Sequence, residues 1–75
     1  MNTKEIVFIV EEDPDGGYNA NALGHNIFTQ ADTLAELKEM IKDALLCHFE
    51  NEADRPGIIR THFVKDEVFP LYKAS

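Results

Sequence analysis

The sequence predicts a two-layer α+β domain of order βββαβ, a small sheet with one helix packed on one face. Three observations predict it. Short apolar runs punctuated by Asp, Pro and Gly fill the N-terminal part of the chain, and one central stretch changes its apolar period from two to that of a helix. A further apolar run then follows a Pro-Gly break. One helix covers one sheet face only, so the other face is left open.

The first strand is expected over about residues 4–11. Ile6-Val7-Phe8-Ile9-Val10 is β-branched and aromatic, apolar on both faces, and so belongs near the middle of a sheet. Asp13-Pro14-Asp15-Gly16-Gly17 is a turn, because Pro presets φ and Gly reaches positive φ without steric cost. Tyr18-Asn19-Ala20-Asn21-Ala22 alternates as a half-buried strand does and completes a hairpin over 18–22. Leu23-Gly24-His25-Asn26 is a second turn, and Ile27 to Ala31 form a third strand.

At Thr33-Leu34-Ala35-Glu36 the pattern matches a capping box, with the Thr33 hydroxyl accepting from the Glu36 amide while the Glu36 side chain reaches back. The helix is expected over about 33–49. Helical spacing puts Leu34, Leu37, Ile41, Ala44, Leu45, His48 and Phe49 on one face, with Glu36, Glu39, Asp43 and Glu50 opposite. The polar stretch Asn51 to Gly57 ends in Pro56-Gly57, a breaker, and Ile58 to Val64 read as the last clear strand, 58–64. Val68-Phe69-Pro70-Leu71-Tyr72 is apolar but interrupted by proline, which makes it an edge strand or a docking tail.

Composition narrows the function. Seventy-five residues make one domain, 1–75, with a small core, and association with a second copy is the expected source of further burial. Candidate interface residues are Phe28, with Val7 or Ile9 on the open sheet face, and the tail residues Val68, Phe69, Leu71 and Tyr72. The net charge of −7, from 14 acidic and 7 basic residues, opposes direct binding of nucleic acid and favours a basic partner. A lone cysteine, Cys47, forms no intramolecular disulfide and fits a reducing cytoplasm. The apolar run at the N-terminus is too short for a signal-peptide core or a membrane span.

Catalytic and metal-binding patterns are weak. A two-metal nuclease site needs carboxylates converging from strand interiors, whereas the acidic residues fall in turns, on the helix exterior and in the loop after it. His25, His48, His62 and Cys47 lack the spacing of a zinc set, and Cys47 and His48 are helical neighbours pointing about 100° apart. His48 is expected as a satisfied core histidine, and Cys47 as a small hydrophobe beside the core. Gly16-Gly17 precedes a strand and so is no phosphate cradle. No enzyme activity, metal or cofactor is expected. The acidic stripe Glu36, Glu39, Asp43 and Glu50 is the candidate partner-binding surface.

In order and spacing, Asp15-Gly16-Gly17-Tyr18, then Leu23-Gly24, then Thr29-Gln30-Ala31-Asp32-Thr33-Leu34-Ala35-Glu36 leading into an acidic helix, the chain resembles the HicB-like antitoxins over about residues 4 to 50. The resemblance implies a truncated RNase H-like or double-stranded-RNA-binding-domain-like sheet with one helix. It also implies a partner, a small basic mRNA-cleaving toxin of the HicA type, neutralised by direct protein contact. It departs from the family at Leu23-Gly24-His25, where a Pro-Gly-Cys turn is common. It does not extend to the C-terminal DNA-binding module of complete antitoxins, so operator binding is not carried over. The alternative reading is an orphan dimeric module with a structural or small-ligand-binding role and no toxin partner.

Overall fold

The computed structural model describes residues 4–65 and 67–72; of the expected domain 1–75, residues 1–3, 66 and 73–75 lie outside the described residues. The elements are β1 (Glu5–Glu12), β2 (Tyr18–Ala22), β3 (Phe28–Ala31), α1 (Leu34–His48), a 3-10 turn at Glu52–Asp54 and β4 (Ile58–Val64). The protein has the α+β fold expected, with four strands and one α-helix among the described residues.

The strands order as β3-β2-β1-β4. The first three form an antiparallel meander, and α1 carries the chain back so that β4 runs parallel to β1. β1 is therefore central, as its two apolar faces require. Ile6, Phe8 and Val10 are buried towards the helix, and Val7 and Ile9 are half-buried on the other side. The core joins Ile6, Phe8 and Val10 to Ala20, Ala22 and Ile27 and to Leu37, Ile41 and Leu45 of α1. Those helical residues recur every four positions and so stack on one face. The small side chains of Ala20 and Ala22 leave room for the large ones above them.

Both ends of α1 have chemical causes. Thr33 Oγ1 accepts from the Glu36 amide at 3.1 Å, as the capping pattern predicts. The helix stops at His48, where Phe49 leaves helical geometry with φ −104° and ψ 90°. The Arg55 guanidinium then folds back, its Nε donating to the Phe49 carbonyl at 2.9 Å and an Nη to that of Leu46 at 3.5 Å. A cation on the last carbonyls satisfies orphan acceptors and opposes the negative end of the helix dipole.

Three expectations need correction. Leu34, placed on the apolar face by periodicity, is 37 % exposed because it lies at the helix start, beyond the turns that meet the sheet. His48 and Cys47 are both exposed. They occupy the last turn, and the buried register Leu37–Ile41–Leu45 ends one turn earlier. The helix also covers less than a whole sheet face. It lies over β2 and β3, and the register puts Ile59, Thr61 and Phe63 of β4 on the same side as buried Ile6, Phe8 and Val10 but beyond its reach. Ile59 and Phe63 remain 40 % and 52 % exposed.

On the opposite face the register aligns Phe28, Asn21, Ile9 and His62 across the four strands. Val7, Ile9 and Phe28 do share this open face. An asparagine separates Phe28 from Ile9, so the face is mixed and not a continuous apolar patch. Val68 to Tyr72 form no strand and extend from the body as a tail. No helix among the described residues is long and apolar enough to cross a membrane.

Candidate functional site

The meander brings the β1–β2 turn beside the start of α1, and a cleft of 580 Å³ opens between them. Its acidic members come from three places: Asp13 from the turn, Asp32 from the lead into the helix, and Glu36 and Glu39 from the first turns of α1. Tyr18, Gln30 and Met40 complete the wall.

Local chemistry fixes each contributor. Asp13 Oδ1 accepts from the Asp15 amide at 2.9 Å, and the Asp13 carbonyl from the Gly16 amide at 2.9 Å, closing the turn. Gly17 has φ +84°, and a Cβ there would meet the Ala31 carbonyl oxygen at 2.8 Å. Glycine is thus required both by its backbone region and by the close approach of β3. That approach sets the turn against Asp32. Tyr18 pairs with Ala31 across β2 and β3, which places its ring at the cleft.

The cleft is acceptor-rich. Asp13 is half-buried, and Asp32, Glu36 and Glu39 are exposed. The positive end of the helix dipole offsets part of the repulsion at Glu36. Lys42 reaches Glu39 at 3.5 Å, an exposed i, i+3 pair worth little and easily exchanged for another cation. Four carboxylates around an aromatic ring and a thioether suit the head and stem of an incoming lysine or arginine. Among the described residues no group of three or more His, Cys, Asp or Glu side chains is placed to hold a metal ion.

The candidate stripe divides in the structure. Glu36 and Glu39 enter the acidic cleft; Asp43 borders a separate shallow cleft of 450 Å³ beside Phe28, Met40 and Cys47. Glu50 lies beyond the helix end, exposed and in neither cleft. Of the candidate interface residues, Phe28 at 56 %, Val68 at 94 %, Phe69 at 77 %, Leu71 at 86 % and Tyr72 at 81 % are exposed, and Val7 and Ile9 are half-buried.

Sequence reasoning did not join Asp13, Tyr18 and Asp32 to the stripe. The signal was the strand register, since pairing of β2 with β3 returns the chain from the first turn to the helix start. It also missed an aromatic group at the other end of the helix. His25 from the β2–β3 turn meets His48 edge-on at 5.8 Å and Phe49 at 5.4 Å, with His48 and Phe49 4.8 Å apart.

Comparison with known proteins gives two close relatives, each named a UPF0150 protein. One, from Archaeoglobus fulgidus, is 65 % identical over 53 residues, covering 71 % of this chain and 77 % of its own. The other, from Thermotoga maritima, is 54 % identical over 63 residues, covering 84 % of this chain and 87 % of its own. No family model matches the chain, and no solved structure does.

Proposed function

This chain belongs to the UPF0150 family, and we propose that it is a non-catalytic binding protein whose acidic cleft receives a basic partner. In the HicB-like reading, that partner is a small basic mRNA-cleaving toxin, held inactive by direct contact. The convergence of Asp13, Asp32, Glu36 and Glu39 on one cleft carries the proposal. A chain of net charge −7 repels RNA phosphates and attracts a ribonuclease surface evolved to hold them. Occupying that basic surface would block substrate entry without any chemistry by the inhibitor.

The test is inhibition. A candidate toxin of the HicA type, from the source cell, is assayed for RNA cleavage with and without the purified chain. The proposal expects cleavage to fall in a saturable way near equimolar protein, and the chain alone to leave RNA intact with or without Mg²⁺ or Mn²⁺. Metal-dependent cleavage by the chain itself, abolished by Asp13→Asn with Asp15→Asn, would overturn the non-catalytic reading.

A further inference from the structure

We propose that two copies of this chain join edge to edge through antiparallel β4 strands, each laying its Val68–Tyr72 arm into a groove of the other. The proposal does not depend on the acidic cleft having a partner, because the surfaces lie on opposite flanks of α1.

The groove is the uncovered side of the helix. Lys42, Leu45, Leu46, Arg55, Pro56 and Ile59 line a hollow of 240 Å³ between α1 and the start of β4. Leu46 is 53 % exposed and Ile59 40 %. The strand beside it pairs only with β1 among the described residues, and it exposes Ile58, Phe63 and Val64 as well. A parallel strand is ordinarily covered, and an apolar edge with unpaired backbone groups is a template for a further strand.

Topology selects the occupant. β4 is seven residues long, about 20 Å, and the groove lies at its N-terminal end while the arm leaves from its C-terminal end. In its own copy the arm would have to reverse along the whole strand. Instead it stands away from the body, and the molecule measures 60 Å along its longest axis against 22 and 19 Å. In an antiparallel β4–β4 pair the C-terminal end of one strand lies beside the N-terminal end of the other. Four residues of chain separate Val64 from Phe69, a reach of up to roughly 13 Å, enough to deliver Phe69 and Leu71 to the neighbouring groove.

Charge and area agree. Antiparallel pairing would carry Glu67 of the arm towards a groove rim that holds Lys42 and Arg55, two of only seven basic residues in the chain. Phe69 and Tyr72 carry roughly 150–250 Å² each. Burying both rings in both exchanged arms would remove up to about 600–1,000 Å² of aromatic surface from water, a large share of the ~1,200 Å² that stable interfaces require.

Light scattering of the full chain at micromolar concentration should give twice the 8.5 kDa chain mass. Phe69→Asp with Leu71→Asp should weaken dimerisation roughly 100-fold and leave the circular-dichroism spectrum unchanged, because both side chains are exposed in the single copy. In a Cys47→Ser background, a chain carrying Leu46→Cys mixed with one carrying Phe69→Cys should oxidise to a mixed covalent dimer. A monomeric full chain would overturn the proposal. So would a dimer indifferent to both arm substitutions, or a chain carrying both cysteines that closes within one copy.

Discussion

The two flanks of α1 are built from the same kinds of residue and end in opposite states. On the β3 flank, antiparallel strands bring small and large side chains under the helix, and Phe8, Val10 and Ala20 are fully buried. On the β4 flank the strand is longer and as apolar, yet six of its seven residues are exposed. Hydrophobic content does not separate them. The difference lies in what the helix can reach: it follows directly from β3 and packs over β3 and β2, leaving β4 to be held by β1 alone. Glu5 and Arg60 add an ion pair across that β1–β4 pairing, and the carboxylate raises the guanidinium pKa above its ordinary value through their hydrogen bond and charge. Burial on one flank makes the fold. Exposure on the other leaves an apolar edge.

Substitutions on the two flanks should differ sharply. Phe8→Ala removes a fully buried ring from the centre of the core and should cost about 3–5 kcal/mol, enough to unfold a chain of this size under mild denaturant. Phe63→Ser, made with the two arm substitutions so that association does not contribute, should shift the same transition by no more than about 0.5 kcal/mol. Equal losses would mean that β4 belongs to the core. Gly17→Ala comes next, at roughly 2 kcal/mol, because it places a Cβ at positive φ against the Ala31 carbonyl. A melt unchanged by this alanine would show that the turn does not hold β3 as described. Thr29→Val has a smaller effect than Gly17→Ala and the opposite sign. The Thr29 hydroxyl is buried on the β3 flank with no hydrogen-bond partner among the described residues, so an apolar isostere should stabilise by about 1 kcal/mol. A lower melting temperature would indicate that the hydroxyl is satisfied.

The contrast between flanks also explains what the sequence could reveal. β1 was legible because Ile6 to Val10 are apolar without interruption, which only a central strand tolerates. The helix start was legible because Thr33 and Glu36 encode a local bond. The parallel placement of β4 follows from the direction of the returning helix, but its exposure depends on where α1 sits across the sheet, which no periodicity records. Helical spacing assigned His48 to the core and set Cys47 beside it, and the structure places both outside, because angular position says nothing of where the sheet beneath ends. For the candidate site, Glu36 and Glu39 were visible as charges on a helix. Asp13, Tyr18 and Asp32 join them only through the pairing of β2 with β3.

That pairing also divides the acidic stripe, and the division gives the most direct test of the central claim. Association with a basic toxin partner is followed at low salt for three folded variants: Glu36→Lys with Glu39→Lys, Asp43→Lys, and Glu50→Lys. Charge at a docking site acts mainly on association rate and is screened by salt. The acidic cleft predicts that the first variant associates at least roughly tenfold more slowly and loses most of its salt dependence, with Glu50→Lys close to the original chain and Asp43→Lys between them. Equal slowing by all three would reduce the effect to net charge, and an unchanged rate for Glu36→Lys with Glu39→Lys would contradict the cleft as the binding surface.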